Sequence, residues 1–404
     1  MRIKKALILA AGESTRLHPL TFTRPKPMLK VANKPMLEII VGLLREVGIK
    51  EIVMLVGYKK DKIIEYFKSG ESFGVNIEYI SQKDRKGTAH AVFCTRDLIQ
   101  EPFLCLNGDV IFEKKLLEGL LREYEERKDN LMTVTETENP QNFGVVKVEK
   151  GRVKAIIEKP RKPESNLINA GIYIFKPEIY DAINKTEKSD RGEYELTDSI
   201  LKLNYTYIYK FEGFWSDVGK PWDLLTVNEE ILKNTKKHIA KRVKIEENVI
   251  IRDNVRVGEG TRILPGTVIE GPADIGKDCK IGPCAYIRKG SSIGDNCHIG
   301  NSVEVKCSVI LDNTNVPHLS YVGDSVIGEG CNLGAGTNIA NLRFDDAVVR
   351  MDVKGNLEKS GRRKLGCIMG DDVKTGINVS IMPGKKIEPG SRISPGEIYG
   401  INED

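Results

Sequence analysis

From residue 245 onward an aliphatic side chain falls on every sixth position: Ile245, Ile251, Val257, Ile263, Ile269, Ile275, Ile281, Ile287, Ile293, Ile299, Val305 and Leu311. A period of six is the mark of a parallel β-helix, in which three hexads make one triangular turn and the repeated side chain points inward. Gly276, Gly282, Gly294 and Gly300 directly follow a beat and suit tight corners. The next beat would be Pro317, but the rhythm fails within "NVPHLSYVGD", residues 315–324. Proline removes a ladder donor, so the pattern predicts a loop leaving the coil there. The period resumes in a new phase at Tyr321, Ile327, Leu333 and Ile339. The charged stretch 342–364 interrupts it again before Met369, Ile381, Ile387 and Ile393 continue it.

The chain from 1 to 230 follows a different pattern. "KALILAAG", "EIVMLVGY" and "FLCLNGD" are continuous apolar runs that predict buried strands, and "MLEIIVGLLREVG" predicts an amphipathic helix ending in glycine. Strands alternating with helices imply an α/β domain built on a mostly parallel sheet. Ligands bind such sheets at the carboxyl ends of strands, so the loops after "LILAA" and "LCLNGD" are the places to look for chemistry. A helical segment, "KPWDLLTVNEEILKNT", leads out of this region. Two domains follow, 1–230 and 231–404.

Composition narrows the function classes. The 404 residues are 40% apolar and 29% charged, and no apolar run is long enough for a membrane span or a signal peptide. The net charge of +5 comes from 62 basic and 57 acidic residues, too even a balance for a nucleic-acid binder. The 8 cysteines form no CxxC pair and suit reduced thiols in a cytoplasm.

Residues 9–37, "LAAGESTRLHPLTFTRPKPMLKVANKPML", resemble the signature of the sugar-phosphate nucleotidylyltransferases: an aliphatic strand, Ala-Ala-Gly, then Thr-Arg and Pro-Lys-Pro. The loop at Gly12 offers backbone N–H groups free of side-chain bulk, and Arg16 and Lys26 add fixed positive charge for a triphosphate. The resemblance continues in order as far as position 230 and implies a Rossmann-like fold. "SQKDRKGTAHAV" resembles the base-reading segment, with Gln82 on the pyrimidine edge, Gly87 allowing close approach and Thr88 a further binding residue. "LNGDV" and "WSDVG" imply Asp109 and Asp217 as joint ligands of one Mg²⁺, which prefers hard oxygen donors. "FGVV" (Gly144), "EKP" (Glu158, Lys159) and "NAGIYIF" (Asn169) resemble the sugar-phosphate side. There Glu158 accepts sugar hydroxyls and Lys159 neutralises the attacking phosphate.

The implied reaction is attack of a sugar 1-phosphate oxygen on the α-phosphorus of a nucleoside triphosphate, with loss of pyrophosphate. Charge neutralisation and alignment carry it, and no nucleophilic side chain is needed. One departure matters. Bacterial N-acetylglucosamine-1-phosphate uridylyltransferases usually carry asparagine as the second metal ligand, whereas Asp217 is closer to the glucose-1-phosphate thymidylyltransferase pattern, so UTP and dTTP both stay open.

"HLSYVGDSVIGEGCNLGAGTNIAN" resembles the acetyltransferase core of bifunctional enzymes that acetylate glucosamine 1-phosphate and then uridylylate it. The resemblance implies a left-handed β-helix with His318 taking the proton from the sugar amine, a role suited to a group titrating near neutrality. It further implies Tyr321, Asn332 and Asn341 lining the sugar and acyl site, Arg288 and Lys306 holding the sugar phosphate, acetyl-CoA as co-substrate, and a homotrimer or a multiple of three. Galactosamine 1-phosphate is a second candidate acceptor. Residues 342–364 match the bacterial pattern poorly. Two other readings compete: a nucleotidylyltransferase whose β-helix serves only assembly or feedback, as in related mannose-1-phosphate guanylyltransferases, and a non-catalytic regulatory subunit. The set Arg288, Lys306, His318, Tyr321 and Asn332 argues against the first, and Arg16, Lys26, Asp109 and Asp217 against the second.

Overall fold

The computed structural model describes residues 2–82, 84 and 86–401. It divides into two compact units, Met1–Glu13 with Met36–Asp217, and Ser14–Pro35 with Val218–Asp404. The segment bearing Arg16 and Lys26 therefore packs with the C-terminal part of the chain. Among the described residues no helix is long and apolar enough to cross a membrane.

In the first unit the apolar runs form β1 (Lys5–Ala10), β2 (Glu51–Val56), β3 (Asn76–Ser81) and β4 (Phe103–Asn107), followed by the short β5 (Val110–Phe112). Then come β6 (Leu131–Glu136), β7 (Gly144–Glu149), β8 (Arg152–Glu158), β9 (Leu167–Phe175), β10 (Tyr207–Lys210) and β11 (Trp215–Asp217). Nine of them make one sheet in the order β3-β2-β1-β4-β9-β6-β10-β8-β7. Strands β1 to β4 are mutually parallel, and β9 runs antiparallel to β4. Helix α1 (Met36–Glu46) buries Met36, Leu37, Ile40, Val41 and Leu44, the i, i+4 stripe expected of a helix covering a sheet. Ala10, Val56 and Ser81 lie in register at the carboxyl ends of β1, β2 and β3, with Asn107 beside Leu9. The loops holding Gly12, Gln82 and Asp109 thus leave one edge of the sheet.

The second unit holds three parallel sheets whose strands succeed one another in turn, each pairing with the third strand on. Ile263 pairs with Ile281 and Ile281 with Ile299, three full hexads at each step, and all of these isoleucines are fully buried. One sheet continues through the bridges Asn315–Asn332 and Asn332–Lys374. Only the first beats are loose, Ile245 being 47% exposed at the start of the stack.

The rhythm fails for another reason than the one expected. Ile293 pairs with Ile310 and Ile310 with Ile327, each step one position short of three hexads. Val305 pairs with Val322 and Val322 with Ile339, and both steps are short by the same single position. One residue is thus dropped twice, between Val305 and Ile310 and between Val322 and Ile327. The inward positions are Ile310, Val316 and Val322, rather than Leu311, Pro317 and Tyr321. Pro317 lies inside the strand Asn315–His318, where its missing N–H leaves the ladder bonds of Asn315 and Leu319 intact. The predicted loop at 315–324 is absent. The true departure is 342–364, closed by the antiparallel bridge Leu342–Lys364 and folded into a hairpin, Arg350–Val353 with Asn356–Lys359. The predicted helix forms over Asp223–Lys233 and falls in this unit, although the expected domain boundary lay at 230.

The glycines serve stacking more than cornering. A Cβ at Gly276 would come within 2.6 Å of the Gly294 carbonyl carbon in the next turn. Of the four expected at corners only Gly282 takes a left-handed φ, and Gly260, Asp278, Asn296 and Asn313 are among the residues that do so instead. Asparagine and aspartate tolerate it because their short polar side chains bond locally.

Candidate active sites

Strand β5 pairs antiparallel with β11, placing Asp217 opposite Val110 and therefore next to Asp109. Both carboxylates are half-buried. The β11 strand is anchored at Trp215, whose indole N–H donates to the Ala170 carbonyl at 2.9 Å and whose ring meets Phe143 edge-on. Among the described residues no cluster of three or more His, Cys, Asp or Glu presents a metal cage. Two adjacent oxygen donors are what a hydrated ion that also binds phosphate needs.

Gly144 lies opposite Glu158 on the β7–β8 pair, while Val145 pairs with Ile168 of β9. A Cβ at residue 144 would sit 3.0 Å from Glu158 Oε2 and 3.8 Å from Asn169 Cβ, so glycine keeps the space between these groups open. Asn169 is held on both sides: its amide donates to the Tyr173 hydroxyl at 2.7 Å and its oxygen accepts the Gly171 N–H at 2.9 Å. Burial pushes the Tyr173 hydroxyl far above its ordinary pKa. Lys159, exposed, hydrogen-bonds through its N–H to Phe143 and carries its ammonium 3.5 Å from Glu158.

Gln82 directly follows β3, its N–H bonded to the Val56 carbonyl. Gly87 takes φ 104°, and a Cβ there would meet the Tyr194 carbonyl at 2.4 Å. Its demonstrable job is to let Tyr194 backbone approach. The Thr88 hydroxyl accepts the Leu196 N–H at 3.0 Å, which ties down the start of helix Leu196–Ile200. Lys83 and Arg85 of the same quoted stretch lie outside the described residues. Gly12 is exposed just beyond β1. In the second unit Arg16 is exposed on the single turn Thr15–Leu17, and Lys26, between two prolines, is only 2% exposed.

Of the acetyl-site candidates, Lys306, His318 and Tyr321 lie on the two contracted turns. Glu304, Tyr321 and Asn338 stack in register along one sheet, with Arg288 donating to Glu304 at 2.8 Å. Lys306 donates to Asp324 at 2.7 Å, and Asn341 donates to the same Asp324 oxygen at 2.6 Å and to the Tyr321 hydroxyl at 3.0 Å. Burial lowers the Lys306 pKa, but the Asp324 carboxylate outweighs it and holds the ammonium form. Burial likewise raises the Tyr321 hydroxyl. Asn332 is half-buried and bridges the neighbouring turns through its backbone. His318 is exposed at the end of its strand, paired in register with Asn301. His298, on the regular repeat, is held below its ordinary pKa by burial and by the neighbouring Lys280 and His318. Asp324, 4% exposed, was not a sequence candidate although it lies within "YVGD". Its spacing of three hexads from Lys306 is the signal that could have found it.

Residues 5–234 match the family described as nucleotidyl transferase, and residues 267–395 the one described as GMPPB C-terminal domain. Bifunctional protein GlmU of Methanocaldococcus jannaschii is 46% identical over 386 residues, covering 95% of this chain and 91% of its own. The bifunctional sugar-1-phosphate nucleotidylyltransferase/acetyltransferase of Sulfurisphaera tokodaii is 42% identical over 412 residues, covering 99% and 98%. Among solved structures, a UDP-glucose pyrophosphorylase complexed with UDP-glucose matches with TM-score 0.52 and 26% identity, covering 57% of this chain and 99% of that one.

Proposed function

From the premise that this chain belongs to the nucleotidyl transferase family, and over nearly its whole length to the bifunctional sugar-1-phosphate nucleotidylyltransferase/acetyltransferases, we propose that it catalyses both reactions at two separate sites. The single observation that carries this reading is the hydrogen-bonded Lys306–Asp324–Asn341–Tyr321 cluster in the strand stack, which a module serving only assembly has no need of. The functional domains are 1–230 and 231–404, and the strand stack is a left-handed parallel β-helix. A homotrimer or a multiple of three and a cytoplasmic location complete the reading.

In nucleotidyl transfer, Gly12, Arg16 and Lys26 hold the triphosphate, Gln82, Gly87 and Thr88 the nucleoside, and Gly144, Glu158 and Asn169 the sugar. Lys159 neutralises the attacking phosphate so that its oxygen can approach the α-phosphorus, and pyrophosphate departs. Asp109 and Asp217 fit a Mg²⁺ ion, being half-buried carboxylates, one ending a strand and the other just before the strand it pairs with. When bound, the ion neutralises charge developing on the phosphates. In acetyl transfer, Arg288 and Lys306 hold the phosphate of glucosamine or galactosamine 1-phosphate, Tyr321, Asn332 and Asn341 position the sugar and the acyl group of acetyl-CoA, and His318 accepts the amine proton. A substrate panel tests this: UTP and dTTP against glucose and N-acetylglucosamine 1-phosphates, with acetyl release from acetyl-CoA measured on both amino-sugar phosphates. Absence of acetyl transfer from every acceptor would leave the single-activity reading.

A further inference from the structure

The segment Ser14–Pro35 is clasped by an acidic column of the strand stack, and both belong to the second unit. Asp312, Glu329 and Asp371 occupy equivalent places in three successive turns, each two residues after the paired positions Ile310, Ile327 and Met369. Arg24 reaches two of them through one nitrogen, with Nη2 2.5 Å from Asp371 and 2.9 Å from Glu329. The Thr23 hydroxyl donates to the same Asp371 oxygen at 2.6 Å, while the other oxygen accepts the Glu329 N–H at 2.8 Å. Lys30 donates to Asp312 at 2.5 Å. Further along, the Ala32 N–H donates to Asn228, and the Asn33 amide to the Asp274 carbonyl. Asn228 is fully buried and itself donates to Gly290.

These bonds are not those of a surface ion pair. The Arg24 side chain is 13% exposed and Asp371 9%, so the pair is desolvated and geometrically fixed. Screening by solvent, which makes exposed pairs nearly worthless, is weak here. Two residues beyond Arg24 stands Lys26, itself buried and flanked by Pro25 and Pro27, which stiffen the backbone between them.

We propose that Arg24 is a positioning residue for nucleotidyl transfer: locked onto Asp371 and Glu329, it fixes the backbone that presents Lys26 and Arg16. The strand stack is then part of the nucleotidyl machinery as well as the seat of acetylation, through a contact 347 residues apart in sequence. This rests on the assignment of Arg16 and Lys26 to the triphosphate. Misplacing a charge-neutralising group by about 1 Å costs on the order of 10²-fold in rate.

The test uses the full chain, with Arg24→Gln, Arg24→Lys and Asp371→Asn compared with the wild type. Arg24→Gln and Asp371→Asn should lower kcat for nucleotidyl transfer by about tenfold or more. The KM for the sugar phosphate and the acetyl-transfer rate should stay within about twofold, because Arg24 is assigned to neither of those binding groups. Arg24→Lys, which keeps the charge, should recover much of the loss. Amide exchange in residues 14–35 should speed up in Arg24→Gln. Normal kcat in Arg24→Gln, or unchanged exchange in that segment, overturns the proposal, and so does an equal loss of both activities in Arg24→Lys. No nucleotidyl transfer by the wild type would instead overturn the functional reading, and exchange alone would then decide whether Arg24 holds the segment.

Discussion

The Lys306 ammonium lies 2.7 Å from the Asp324 carboxylate, and Lys306 pairs in the ladder with Gly323, the residue before Asp324. Cys307 and Asp324 take left-handed φ values of 45° and 48° at the contracted corners. The departure from the hexad period opens no loop here, and the Lys306–Asp324 pair sits beside the two shortened corners. Asp324 accepts from both Lys306 and Asn341, and it aims two of the groups assigned to the acetyl-transfer site.

Asp324→Asn keeps one acceptor oxygen and should reduce acetyl transfer about tenfold. Asp324→Ala, which frees both donors, should cost up to about 10²-fold. It also leaves the Lys306 ammonium, 15% exposed, without its counter-charge, a change that typically destabilises by about 3–5 kcal/mol when a pair is fully buried and less here. Steady-state acetylation with a thermal melt of each variant checks this. Acetylation at the wild-type rate in the alanine variant would show that Asp324 is structural only.

Asp109→Ala and Asp217→Ala should each abolish Mg²⁺-dependent nucleotidyl transfer and leave acetylation within about twofold, since the chemistry requires no coupling in that direction. Pyrophosphate release and acetyl transfer, measured on one preparation, decide it. Loss of both activities in a folded variant would contradict two separate sites.

His318→Ala should slow acetyl transfer by about 10²–10⁴-fold, the usual contribution of a positioned base. The nucleotidyl rate should hold within about twofold. His318 is exposed, so its replacement should leave the melting temperature nearly unchanged. Acetylation close to the wild-type rate would make it an ordinary strand-end residue.

Asp274 gives a pH signature of stability. Burial raises its pKa from 3.8 to about 6, against the pull of Arg256. Between those values the folded protein holds a proton that the unfolded chain has released, so this group's contribution to stability falls as pH rises. The melting temperature of the wild type relative to Asp274→Asn should therefore decline between about pH 4 and pH 6 and then level off. A difference that grows over this interval would mean that the Arg256 pair dominates.

How much was legible beforehand can be judged from particular residues. The six-residue period and the buried runs at 5–10, 51–56 and 103–107 are local signals, because one side chain in six or a continuous apolar stretch has only one economical way to be buried. The order of motifs as far as position 230 likewise marked Asp109, Asp217, Gly144 and Glu158; a local strand pair joins the last two, and pairing of strands about a hundred residues apart brought Asp217 to Asp109. What local pattern left open is register. Val305 and Ile310 are five positions apart, and a sequence read in sixes assigns the core to Leu311 and Tyr321, whereas the ladder assigns it to Ile310 and Val322. A strand's inward face is set by its hydrogen-bonded neighbour one turn of the stack away, so a single deletion becomes visible only once the turns are stacked. The same holds for Arg24 and Asp371: each alone reads as a solvated charge, and the tertiary fold desolvates both and makes them partners.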